Sequence, residues 1–158
     1  MNWTGLLEEA MPKTFPEGLV ERAIEGAARE VLETMFFTMV EEEAPEAGGG
    51  GEFCSAVAFS GSFAGRLEVG LPGESAREIA RDFLGLEPDE EPTLEQVGST
   101  AGELVNMICG TTLSHLDSEG VFDLRTPERI AELSAGGGAI RAELPLEHGI
   151  LGVRFSTQ

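Results

Sequence analysis

The sequence predicts an α+β fold: a mainly antiparallel sheet with two long helices packed on one face. Three observations carry that expectation. Apolar residues recur at three- and four-residue spacing in two long stretches, Pro16 to about Glu43 and Thr93 to about Leu116. Alternating apolar runs occur near one another with very short links, which hairpins allow and parallel crossovers do not. The chain has 158 residues, 41% of them hydrophobic, enough for one domain with its own core. The expected division is a loosely attached N-terminal leader, 1–15, followed by a single domain, 16–158.

Each element has its own signal. In the first helix Leu19, Val20, Ala23, Ala27, Val31, Met35 and Met39 form the stripe, with Pro16 before it and Pro45 beyond it. The run Glu41 to Glu43 reads as a solvated end and Gly48 to Gly51 as a flexible connection. Phe53 to Ser60 and Phe63 to Leu71 alternate as strands around the short Ser60-Gly61-Ser62 link. A short helix is expected from about Glu74 to Leu84, then an acidic loop from Glu87 to Pro92. Thr93 with Gln96 three residues later is a capping-box signature opening the second long helix. Gly120 to Leu124, Gly138 to Leu146 and Ile150 to Ser156 close the chain as three further strands, giving the order α-β-β-α-α-β-β-β.

Composition excludes several function classes. Ten Lys+Arg against 29 Asp+Glu leave a formal charge of −19, and Lys13 is the one lysine. Such a surface repels phosphate backbones and anionic lipid, so neither a nucleic acid nor a membrane surface is an expected partner. No Gly-Lys-Ser/Thr sequence occurs, which removes a P-loop. Cys54 and Cys109 show no CxxC pairing and sit among apolar or small residues, so two buried free thiols in a reducing cytoplasm are expected. The N-terminal residues show no signal-peptide pattern, and no apolar run approaches the length that crosses a bilayer.

The chemistry gathers on the second long helix. On a 100° wheel with Ser99 at zero, Glu103 falls near about +40°, Asn106 near about −20° and Gly110 near about +20°. An acid and an amide one turn apart, bordered by Ser and Gly, make a face that another molecule can approach closely. Val97, Ala101, Leu104, Val105, Ile108 and Leu116 occupy a different arc and should face the sheet.

The run Ser99-Thr100-Ala101-Gly102-Glu103-Leu104-Val105-Asn106 fits the S/D-xxx-E-xx-N pattern of the CheC/CheX/FliY family of chemotaxis phosphatases, and the chain resembles that family from about Pro16 to Ser156. The words Gly102 to Gly110 look most like the CheX branch. The resemblance implies dephosphorylation of the phospho-aspartate of a CheY-type response regulator. It implies that Glu103 docks by a salt bridge to a lysine beside the phosphoaspartate, that Asn106 holds the attacking water in line, and that Ser99 supports the site. Glu103 and Asn106 are thus the expected catalytic pair, and Ser99, Glu103 and Gly110 the expected substrate-binding face. No metal or cofactor of its own is implied, Mg²⁺ belonging to the partner regulator. A homodimer is typical of CheX-like proteins. Two departures stand out. The comparable stretch of the first helix, Gly26 to Glu33, carries Glu33 where a second motif would have Asn, so one site per chain is expected. A proline follows the motif in the CheC branch, and Pro127 lies at a shorter spacing.

The implied chemistry fits the residues. An acyl phosphate is already activated, so a partner needs to add only a positioned water and a fixed pose. An amide both donates and accepts, and adds no charge to repel the phosphoryl group. Other enzyme classes fare worse. His115 falls about 160° from Ser99 and His148 lies in a turn, which is a poor basis for zinc. Glu103 with Glu30 as a glycosidase pair lacks the aromatics of a sugar cleft, and Ser99 has no nucleophile elbow. The alternative is a non-catalytic interaction or scaffold domain of the same fold, binding a response regulator or a flagellar switch component.

Overall fold

A computed structural model describes residues 15–45 and 50–158; residues 1–14 of the expected leader and 48–49 of the expected Gly48–Gly51 connection fall outside them. Among the described residues nine elements follow in order: α1 (Glu17–Met35), β1 (Phe53–Gly61), β2 (Gly65–Leu71), α2 (Gly73–Leu84), α3 (Leu94–Leu116), β3 (Phe122–Leu124), β4 (Glu128–Ile130), β5 (Ile140–Leu146) and β6 (Gly149–Thr157). The sheet runs β3-β1-β2-β6-β5, with β4 also paired to β1, and every pairing is antiparallel. The α+β, antiparallel expectation holds.

Strand alternation sets the layers. Phe53, Val57 and Phe59 of β1 pair across to Leu71, Leu67 and Gly65 of β2, and Leu67 and Val69 pair on to Phe155 and Val153 of β6. Their side chains share one core with Ile24, Val31 and Leu32 of α1, Ala76 and Ile79 of α2, and Leu104, Val105 and Ile108 of α3. The helices therefore cover one face of the sheet, as the period-2 and period-3.6 patterns require. On the other face Glu68 is buried. It accepts hydrogen bonds from the Ser134 backbone N–H (2.7 Å), the Ser134 hydroxyl (2.6 Å) and the Arg66 Nε (2.9 Å). Those bonds hold the segment after β4 across the back of the sheet.

Several boundaries differ from the sequence reading; β3 and β5 each begin two residues later than expected, at Phe122 and Ile140, after the glycines that end the preceding turns. α1 stops at Met35 and does not continue to Glu43. Phe36 is fully buried and stacks on Phe83 with ring centroids 4.7 Å apart, while Phe37 takes a positive φ of 54° and is 70% exposed. That turn sends the chain past β5, where the Glu41 N–H meets the Pro145 carbonyl at 2.8 Å. Met39 continues the apolar spacing but is exposed. Strand β4 was not expected: three residues, two of them charged, carry no period. Its pairing of Glu128–Ile130 with Cys54–Ala56 comes from the neighbouring strand. The second hairpin strand begins at Gly65, leaving Phe63 in the turn, where it packs edge-on to Phe59 and Phe122.

Candidate functional site

α3 holds the motif rigidly. Its N-terminus is fixed by the reciprocal capping box, Thr93 Oγ1 accepting from the Gln96 N–H (3.1 Å) and Gln96 Oε1 accepting from the Thr93 N–H (2.8 Å). Thr100 and Thr112 are buried and donate to the carbonyls four residues back, at 2.8 and 2.7 Å, so their hydroxyls are satisfied within the helix. Val97, Ala101, Leu104, Val105, Ile108 and Cys109 are buried. The motif face points the other way: Ser99 and Glu103 are exposed, and Asn106 and Gly110 half-buried. The structure thus sets all four residues on one accessible stripe, as the wheel predicts.

Among the described residues, no side-chain hydrogen bond or ion pair within the chain ties down Glu103 or Asn106. A carboxylate and an amide presented this way have their hydrogen-bonding capacity available to another molecule. The other Glu residues weighed at the sequence level are engaged. Glu33 accepts from the Val40 N–H (3.3 Å) and pairs with Arg29 (3.8 Å). Glu30 meets His115 Nε2 at 3.5 Å, away from the motif face.

The segment following α3 forms a wall beside this face, and sequence reading missed it. The chain turns at Gly120, whose N–H bonds the Asp117 carbonyl (3.1 Å), and returns antiparallel to β1 through Phe122 and Leu124. Gly61 permits the approach: with φ 150° it faces the Val121 carbonyl so closely that no Cβ fits. Further along, Pro127 comes to 3.5 Å from the point where a Cβ on Gly102 would lie. Two shallow hollows result. One, of about 330 Å³, is lined by Gly98, Ser99, Gly102, Glu103 and Pro127. The other, of about 220 Å³, includes Gly110, Leu113, Ser114, Phe122 and Leu124. Pro127 is therefore part of the site's surroundings although its sequence spacing gave no reason to include it.

Two features lie apart from the motif. A larger hollow of about 460 Å³, with Phe37, Met39, Ile79, Arg81 and Leu146 among its lining, takes in none of the motif residues. His148 sits among carboxylates, 3.1 Å from Glu78 and 3.7 Å from Glu74. Burial lowers its pKa, but the Glu78 hydrogen bond and the charges of Glu78, Glu74 and Glu147 outweigh that and raise it. The thiols behave as expected of buried cysteines: both are free, and burial pushes Cys109 up to about 12.

This combination, an antiparallel sheet backed by helices with a Glu/Asn pair free of side-chain partners among the described residues on one helix face, defines an α+β domain that presents a polar helix face. The comparisons say which one. The family model described as chemotaxis phosphatase CheX matches residues 53–136, more than half of the chain and including all of α3; the chain belongs to that family. The fold is that of the chemotaxis protein CheX from Vibrio vulnificus, with a TM-score of 0.71, 20% identity, and coverage of 92% of this chain and 100% of that one. CheX in the CheX–CheY–BeF₃–Mg²⁺ complex from Borrelia burgdorferi matches at TM-score 0.64 and 25% identity over 87% of this chain and 96% of that one. FliY from Thermotoga maritima shares the fold more distantly, with TM-score 0.54, 15% identity, and coverage of 93% and 92%. A search of curated protein sequences found no match. No helix among the described residues is long and apolar enough to cross a membrane.

Proposed function

We propose that this chain is a phosphatase acting on the phospho-aspartate of a CheY-type response regulator, with Glu103 docking to a lysine of the partner and Asn106 positioning the attacking water. The observation that carries the reading is the pair of exposed Glu103 and half-buried Asn106, without side-chain partners among the described residues, on the core helix α3 of a CheX-family chain. The complex recorded for the Borrelia burgdorferi relative, which contains CheY, BeF₃ and Mg²⁺, supports a receiver-domain partner that brings its own metal. On this reading Ser99 flanks Glu103 and supports the docked geometry, and Gly110 leaves room for the partner's backbone. The protein contributes no nucleophile and no metal, and acts by orientation and electrostatic positioning. The working unit is the single domain 16–158, a cytoplasmic homodimer in keeping with the CheX resemblance.

The test is the decay of a phosphorylated CheY-type regulator from the same organism, alone and with this protein. Acceleration by the wild type, lost in Glu103→Ala together with affinity for the beryllofluoride-loaded regulator, is the expected result. Binding without acceleration would overturn the enzymatic reading in favour of a scaffold.

A further inference from the structure

Four ionisable side chains from two distant stretches of sequence meet where the β5–β6 turn approaches α2. Leu146 pairs with Gly149, so Glu147 and His148 are the two central residues of a tight hairpin turn. Glu74 and Glu78 lie four residues apart on α2, and therefore on one face. His148 meets all three carboxylates. Its Nε2 is 3.1 Å from an oxygen of Glu78 and 3.9 Å from one of Glu147, while its Nδ1 is 3.7 Å from one of Glu74. Taken alone, a histidine in a turn is a poor basis for zinc; the fold adds carboxylates that sequence spacing could not place beside it.

As a plain ion pair the cluster is poorly balanced. Glu52 and Arg77 line the same hollow as Glu74 and His148. With Glu78 and Glu147 included, the carboxylates of Glu52, Glu74, Glu78 and Glu147 face only Arg77 and a protonated His148. Arg81, further along α2, is engaged by Glu91 and by the Glu90 carbonyl. Like charges four residues apart on a helix repel, so Glu74 and Glu78 favour a further positive charge in front of them.

The donor set selects the cation. Zinc holds its ligands at about 2.0–2.2 Å, which in a tetrahedron puts neighbouring ligand atoms roughly 3.3–3.6 Å apart. The 3.1 and 3.9 Å separations bracket that spacing, and one ligand atom from each of Glu78, Glu147 and His148 lies within 4.8 Å of the others. Glu147 is 74% exposed and can swing inward without disturbing the core. Three protein ligands leave a fourth position for water. Glu74, beside the opposite ring nitrogen, stands where an outer carboxylate orients a metal-binding histidine. One imidazole with two carboxylates suits a transition-metal ion better than Ca²⁺ or Mg²⁺, which take about six or more oxygen ligands.

We propose that His148, Glu78 and Glu147 form a surface site for a divalent transition-metal ion of the zinc class, oriented by Glu74, that ties the β5–β6 turn to α2. It shares no residue with the Glu103–Asn106 face and stands independently of the functional reading above.

The test is titration of the full chain with zinc chloride at neutral pH, followed by calorimetry and by thermal melting. One zinc should bind per chain, and at zinc about 100-fold above its Kd the Tm should rise roughly 5–10 °C. His148→Gln and Glu78→Gln, both changes at the surface, should each weaken affinity at least tenfold, while His115→Gln should leave it unchanged. Calcium in large excess should not displace the zinc. The proposal is overturned by the absence of saturable binding, by undiminished affinity in either His148→Gln or Glu78→Gln, or by displacement with calcium as from any acidic surface. One zinc per two chains would assign the ion to a contact between copies and also overturn it.

Discussion

Gly110→Ala separates stability from function at a single position. Glycine in a helix interior costs about 1 kcal/mol relative to alanine, and Gly110 lies well inside α3. A Cβ built there meets nothing within 4 Å, so no steric loss offsets that gain. The variant should be stabilised by about 1 kcal/mol, a rise in Tm of about 2–4 °C for a domain of this size. Gly26→Ala on the exposed face of α1, whose Cβ also meets nothing, should gain about the same. Function should part the two. The new methyl at position 110 stands on the motif face beside Asn106, and a misplacement of about 1 Å in a docked pose can cost about 10²-fold. A loss of roughly tenfold or more in kcat/KM is expected for Gly110→Ala and none for Gly26→Ala. Thermal melting and regulator-phosphate decay on the same preparations read both quantities. A Gly110→Ala protein that is stabilised and fully active would refute the claim that the glycine clears space for a partner; a destabilised one would refute the packing argument.

Other outcomes follow from side chains outside the motif. Burial pushes the Glu68 carboxyl up, but the two Ser134 hydrogen bonds and the Arg66 guanidinium prevail and hold it below its ordinary value. Its stabilising contribution is thus complete above the unfolded value of about 4.3 and is lost as pH falls through the lowered folded value. Glu68→Ala removes three hydrogen bonds to a buried carboxylate but leaves the exposed Ser134 donors to water and Arg66 to Glu128 and water, so it should cost about 1–2 kcal/mol in denaturant unfolding at neutral pH and flatten the acid limb. His148 has the opposite sign: raised in the fold, its ion pairs stabilise fully below about pH 6.5, and the gain is lost as pH rises through the folded value. The effect should stay under about 1 kcal/mol, weaken with salt, and vanish in His148→Gln. Native protein should react with thiol reagents only on the unfolding timescale, because Cys109 is fully buried with a pKa pushed up to about 12. Rapid modification of the folded chain would contradict the described core.

Much of this fold is written locally. The capping box at Thr93, the 3.6-residue apolar period of α3 and the alternation of β1 are each dictated by nearest neighbours on one element and appear where the sequence places them, and β2 does so from Gly65 onward. The misreadings arise where tertiary contacts decide. Met39 keeps the helical spacing after the helix has ended, because Phe36 is drawn into the core and the chain must turn at Phe37 to pass β5. Strand β4 exists only because β1 offers it an edge. The same holds at the site. Ser99, Glu103, Asn106 and Gly110 share one helix, so their common face follows from arithmetic. Pro127 and the Phe122–Leu124 wall reach that face from 12 or more residues beyond Gly110 in sequence through β-pairing to β1, and no periodicity could place them there.

The central claim is that Asn106 does the chemistry while its neighbours hold the partner. One variant, Asn106→Ala, tests it when hydrolysis of the phosphorylated regulator and affinity for its beryllofluoride-loaded form are measured side by side. The account predicts hydrolysis reduced by roughly 10²-fold or more, the scale of losing one preorganised polar group, with affinity within about twofold of wild type. Undiminished hydrolysis, or a loss fully explained by weakened binding, would contradict it.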